Sequence, residues 1–124
     1  MYEQELEFAI KTAKEASEIV RKIYFDNSAI VKIKSDDSPV TQADLLSEKL
    51  IRSRIIENYP EYGILSEETE DNLIRLNKDY VWIVDPIDGT KDYVERTGEF
   101  TINIALSYKG EIVVGVIMIP VLNE

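Results

Sequence analysis

The sequence predicts an α+β fold in one small domain, and three observations predict it. Two long stretches, about 1–25 and 41–59, repeat apolar residues at three- and four-residue spacing, the period of an amphipathic helix. Several shorter stretches are apolar and β-branched, either alternating or nearly continuous, which is strand character. Lys109-Gly110 separates the last two of these and reads as a hairpin turn.

The first helix carries Leu6, Ala9, Ile10, Ala13, Ala16, Ile19, Val20, Ile23 and Tyr24 as its apolar stripe. Glu3, Glu5 and Glu7 favour its N-terminal end, and Arg21 and Lys22 its C-terminal end, as the helix dipole asks. Residues 26–40 form a polar connection with strand fragments, Ala29–Ile33 among them, and 34–40 is loop-like by its Asp, Ser and Pro content. In the second helix Thr41 stands at the cap and Asp44 three positions on, a capping box with Asp in place of Glu. Leu45, Leu46, Leu50, Ile51, Ile55 and Ile56 form its expected apolar stripe, and Pro60 follows its end. Gly63–Ser66 reads as a short strand leading to Glu67 and Glu68. Residues 69–79 read as a polar loop. Asp92–Arg96 reads as a short helix closed by Gly98. Phe100, Ile102, Ile104 and Leu106 alternate with Thr101, Asn103, Ala105 and Ser107, a strand by period two. Ile112–Ile119 is nearly all apolar, so it is expected to be buried on both faces, and Pro120 closes it.

Composition excludes several chemistries. The 124 residues hold no Cys and no His. Disulfides, thiol catalysis, Ser-His hydrolysis and His-ligated zinc are therefore out. A net charge of −10 disfavours binding to a nucleic-acid polymer, which needs basic patches. An acidic protein that acts on anionic phosphates needs cations between the two. No run reaches the length of a transmembrane span, and the N-terminus is too acidic for a secretory signal.

The chain is organised around 81–90, Val-Trp-Ile-Val-Asp-Pro-Ile-Asp-Gly-Thr. An apolar strand runs into Asp85, and Pro86, which has no N–H to donate, should stop regular pairing. Asp88 follows. Two acids three positions apart in a turn can converge on one point, where they repel unless a proton or a cation lies between them. Gly89 permits close backbone approach, and Thr90 supplies a hydroxyl; free N–H groups of a helical turn there would favour phosphate. The combination suits a phosphate ester bridged by Mg²⁺. Asp-Pro-x-Asp-Gly is also ordinary turn chemistry, so the local pattern leaves a purely structural turn open.

Residues 82–90 resemble the signature of the lithium-sensitive, Mg²⁺-dependent inositol monophosphatase superfamily. Ser38-Pro39-Val40-Thr41-Gln42-Ala43-Asp44 resembles a second motif of that family. The continuation 91–106 is similar to the CysQ-type 3'(2'),5'-bisphosphate nucleotidase branch rather than to the Asn-Phe-Val-His type of inositol monophosphatases. The resemblance implies the N-terminal part of a layered αβαβα sandwich, with two long helices on a largely antiparallel sheet. It implies two or three Mg²⁺ ions held by Glu67, Asp85, Asp88 and the backbone carbonyl of Ile87. Glu67 and Thr90 would orient the attacking water, and Asp44 would pair with the Thr90 hydroxyl. Asp88, Gly89 and Thr90 would contact the substrate phosphate. Glu68 is a less direct candidate, as are Lys34 and Asp36 in a metal-binding flap. The implied substrate is a small phosphorylated nucleotide or sugar, and the implied protein is cytoplasmic or peripheral to the inner membrane, a monomer or homodimer.

Two helices do not cover both faces of three apolar strands, and the last strand would present an open edge. The chain therefore reads as residues 1–124 of a larger domain, and the resemblance implies that it is the N-terminal half, with a C-terminal half holding a further metal ligand. Three alternatives stay open: inositol monophosphatase activity, a phosphatase that forms an aspartyl-phosphate, and a non-catalytic fragment or interaction module. The second is disfavoured, since those enzymes show Asp-x-Asp-x-Thr and this chain shows Asp-x-x-Asp-Gly-Thr.

Overall fold

The structure, a computed structural model, describes residues 1–26, 31–33, 39–66, 77–88 and 100–120. The order is α1 (Glu3–Asp26), β1 (Val31–Ile33), β2 (Pro39–Thr41), α2 (Gln42–Asn58), β3 (Gly63–Ser66), β4 (Tyr80–Asp88), β5 (Thr101–Tyr108) and β6 (Glu111–Met118). β1 and β2 form an antiparallel pair of their own. The other strands form one sheet in the order β3-β4-β5-β6. β3 runs parallel to β4, and the remaining pairs are antiparallel. The expected short helix at 92–96 and most of the loop at 69–79 lie outside the described residues.

Both helices pack on one face of the sheet. α1 lies against α2, β5 and β6, and α2 lies against β4. That face presents Trp82 and Val84 of β4, Ile102, Ile104 and Leu106 of β5, and Val114 and Met118 of β6, all buried. The α1 face that meets them is small: Ala9, Ala13 and Ala16 with Thr12, Ser17 and Val20. Small side chains let helix and sheet approach closely. Leu6 and Ile10, expected in this stripe, fall to its flank and are about two-fifths exposed (41% and 39%). Arg54 of α2 reaches Glu15 of α1 with two nitrogens, at 3.0 and 3.2 Å.

The stripe expected on α2 holds at Ile51 and Ile55, which are buried, and at Leu50, which packs partly buried against the core, and fails at Leu45, Leu46 and Ile56. The buried residues are Ala43, Asp44, Ser47, Glu48, Ile51 and Ile55, whereas Leu45, Leu46 and Ile56 are exposed. The first two turns thus bury polar groups beside the end of β4. Hydrophobic periodicity alone points the leucines inward; tertiary placement overrides it.

β6 is also corrected. Only the face with Val114 and Met118 is buried, and Ile112 and Ile117 on the other side are 60% and 68% exposed. No described element covers that outer face, so a continuous apolar run is here a half-buried strand.

The β5–β6 hairpin turns at Lys109-Gly110, both with positive φ (49° and 89°). That is the backbone sign a two-residue primed turn requires, and it explains the glycine. Pro86 does interrupt the ladder, but pairing resumes after it. Asp85 pairs with Asn103 and Asp88 with Thr101. Pro86 and Ile87 together oppose the single residue Ile102, which is a β-bulge.

The opposite end of the sheet is closed by aromatics. Trp82 lies against Phe8 and Tyr59 at centroid distances of 5.3 and 5.5 Å. Tyr80 stacks on Tyr62 at 4.9 Å, and its hydroxyl meets that of Tyr2 at 3.3 Å. This hydrogen bond, then desolvation, pushes the Tyr80 phenol up to about 12. A raised folded value means that the unfolded chain loses this proton first. The contribution to stability is complete below about pH 10 and is lost as pH rises toward 12. Thermal melts between pH 9 and 12 are expected to show a steeper loss for the native chain than for Tyr2→Phe; equal slopes would contradict the coupling.

Candidate active site

The bulged end of β4 gathers parts from four elements. Because β3 and β4 are parallel, their C-terminal ends lie together, with Ser66 opposite Val84. β5 starts at the same end, with Thr101 and Asn103 opposite Asp88 and Asp85. The bulge matters for this register. Residues 85 and 88 are an odd number apart, which in a regular strand assigns them to opposite faces. The extra residue places them opposite Asn103 and Thr101, which are two apart and share a face of β5.

α2 brings Asp44 and Ser47 to this end, one turn apart on its buried face. Both are wholly buried. The Ser47 hydroxyl donates to the Pro86 carbonyl at 3.1 Å, tying the helix to the bulge. On the far face of the sheet a cleft of about 430 Å³ is lined by Leu65, Ser66, Ile83, Val84, Asp85, Asn103 and Ala105. The Thr101 hydroxyl donates to Oδ1 of Asn103 at 3.1 Å, which fixes the amide so that its NH₂ is the end left for other partners.

Of the residues expected at the site, the structure brings Asp44, Asp85, the Ile87 backbone and the Asp88 backbone to one end of the sheet. Ile87 itself is 3% exposed, so only its main chain is offered as a ligand. Lys34, Asp36, Glu67, Glu68, Gly89 and Thr90 lie outside the described residues, and with them the Asp44–Thr90 pairing. β3 ends at Ser66, the residue before Glu67. Sequence reasoning passed over Ser47 and the Thr101–Asn103 pair. Ser47 had a signal, since it stands three positions after Asp44 and so shares its helix face. Thr101 and Asn103 had one too, as the polar positions of an alternating strand.

The oxygens this end of β4 could offer a cation are hard ones, the Asp85 carboxylate and the Ile87 carbonyl. Such a set fits Mg²⁺, which keeps waters and takes few protein ligands. Among the described residues no three acidic, His or Cys side chains meet at one point. A complete ligand set would thus need Glu67 or another group beyond them.

This helix-on-sheet arrangement has known counterparts. The profile of the Inositol monophosphatase family matches residues 1–124, and the chain belongs to that family. It is 36% identical over 120 residues to the 3'(2'),5'-bisphosphate nucleotidase CysQ of Escherichia coli (strain K12), covering 95% of this chain and 49% of that protein. The crystal structure of CysQ from Bacteroides thetaiotaomicron, described as a bacterial member of the inositol monophosphatase family, superposes with a TM-score of 0.81 at 40% identity, over 98% of this chain and 44% of that one. The extragenic suppressor protein suhB of Bartonella henselae superposes with a TM-score of 0.87 at 32% identity, over 95% and 46% of the two chains. The chain spans about half the length of the curated relatives it matches. Among the described residues no helix is long and apolar enough to cross a membrane.

Proposed function

We propose that the full-length protein is a Mg²⁺-dependent phosphomonoesterase, acting on a 3'(2'),5'-bisphosphate nucleotide such as 3'-phosphoadenosine 5'-phosphate, with water, to give AMP and phosphate. The observation that carries this reading is the register at the end of β4: the bulge brings the two acids of Asp-x-x-Asp-Gly-Thr into equivalent positions beside the end of β3. The names of the CysQ relatives support the nucleotide as substrate.

In this reading Glu67, Asp85, Asp88 and the Ile87 carbonyl hold the cations. When bound, Mg²⁺ supplies an acidified water and offsets charge on the phosphate and leaving oxygen. Glu67 and the Thr90 hydroxyl would orient an attacking water toward phosphorus. Asp44 accepts from the Thr90 hydroxyl and so leaves its oxygen lone pair facing the water. Backbone N–H groups at Gly89 and Thr90 hold the phosphate oxygens, and Asp88 borders the substrate. No side chain becomes phosphorylated. The protein works as a soluble cytoplasmic enzyme, as a monomer or homodimer.

The test is phosphate release by the full-length protein, with 3'-phosphoadenosine 5'-phosphate or myo-inositol 1-phosphate, with and without Mg²⁺ and Li⁺. Mg²⁺-dependent, Li⁺-inhibited release from the nucleotide is the expected result. Preference for the inositol ester would move the protein to inositol monophosphatase activity. Trapping a phosphoryl group on Asp85 would replace the water mechanism.

The open outer face of the sheet favours one further reading for residues 1–124 as a separate piece. No described element covers its apolar side chains, Ile112 and Ile117 foremost, and the relatives are about twice as long, which supports cover of this face by sequence outside 1–124. Alone, residues 1–124 are expected to associate and to bind a hydrophobic dye, and Ile117→Lys to lessen both. A monomer that binds no dye would show that the face needs no cover.

A further inference from the structure

The buried face of α2 holds one hydroxyl that the proposed reaction does not use. Ser47 is 0% exposed, and its Oγ donates to the Pro86 carbonyl at 3.1 Å. A serine within a helix commonly returns its hydroxyl proton to a carbonyl in its own preceding turn. This one instead crosses to another element, and the place it grips is specific. Pro86 stands between Asp85 and Ile87 and is one of the two residues that oppose Ile102 in the bulge. A bulge breaks the ladder, so the strand partner no longer dictates the orientation of its peptide planes. A proline there also has no N–H with which to hold itself. The carbonyl of Pro86 is the handle that remains, and Ser47 takes it.

Resting on the metal-dependent reading, we infer that Ser47 is a positioning residue for the divalent-cation site: it fixes the peptide after Asp85 and thereby the placement of the Asp85 carboxylate and the Ile87 carbonyl. It touches neither cation nor substrate. The family motif around Asp44 ends before position 47, so nothing in that motif assigns it this task.

The experiment is calorimetric Mg²⁺ binding to the full-length protein without substrate, with melting curves of the Mg²⁺-free protein in parallel, for wild type, Ser47→Ala and Ser47→Thr. Alanine favours the helix and leaves a gap of one atom, so folding is retained. The expected result is a Mg²⁺ Kd about tenfold weaker in Ser47→Ala, the scale of losing a supporting hydrogen bond behind a metal ligand, with a melting temperature lowered by the few degrees that one lost buried hydrogen bond costs and a transition still cooperative. Ser47→Thr keeps the donor and is expected to restore the wild-type Kd. An unchanged Kd in Ser47→Ala would overturn the inference and leave the metal reading standing, whether or not the melting temperature falls. Equal weakening in both variants would assign the effect to packing and overturn it as well. A wild-type protein that binds no Mg²⁺ would remove the metal reading and this inference together.

Discussion

Asp88→Asn in the full-length protein is expected to lower phosphate turnover at least roughly a hundredfold, the scale of removing one preorganised electrostatic element. Asp85→Asn is expected to do the same, because the bulge makes positions 85 and 88 equivalent in register. An amide keeps the size of the side chain and removes the charge that a cation answers. The loss should therefore appear with a weaker Mg²⁺ Kd and an intact melting curve. Near-normal turnover in either variant would take that residue out of the site. Adding Mg²⁺ should recover part of the loss if the damage lies in cation affinity, and none if it lies in the chemical step.

The second large effect belongs to the core. Trp82 is wholly buried on the helix-facing side of β4, against Phe8 and Tyr59. Trp82→Ala is expected to cost about 3–5 kcal/mol, a lost aromatic surface plus the cavity it leaves. That lowers the melting temperature by on the order of 10 °C. Trp82→Phe is expected to cost less because it keeps a ring against the same neighbours; the indole N–H that both variants remove finds no acceptor among the described residues. Chemical denaturation of the three proteins checks the order. If Phe proved as costly as Ala, the buried N–H would have to be contributing to stability.

Much of this arrangement was legible in the residues. The two helices, the alternating strand at 100–107 and the Lys109-Gly110 turn all follow from local pattern and turn chemistry, because their spacing matches one backbone period. Pro86 marked the break after Asp85. The resumption at Asp88 was not visible, since it depends on pairing with Thr101, some distance along the chain. α2 misled for a related reason. Leu45 and Leu46 outrank Asp44 and Ser47 on any hydropathy scale, yet the helix docks its polar turns on the end of the sheet that carries the acids. β6 looked buried on both sides because composition cannot count the layers that will cover it. At the candidate site, the 85–88 stretch was singled out by its local motif and Asp44 by the family resemblance. Ser47, Thr101 and Asn103 left only the signal of a shared helix face or strand face, since what they do depends on what they face.

The one parallel pairing among the described residues also sets an order in time. β5 and β6 join across a two-residue turn, the most local contact a sheet can make. β3 has no such shortcut. It pairs with β4 in parallel, so a connection from 67 to 79, rather than a two-residue turn, separates the two strands. Closing that loop comes at a higher entropic cost, so β3 docks late. The end of β3 leads directly into Glu67. Refolding followed by two signals should therefore separate them: Trp82 fluorescence recovers as the helix-packed strands collapse, and Mg²⁺ binding returns afterwards, at the pace of the slower strand.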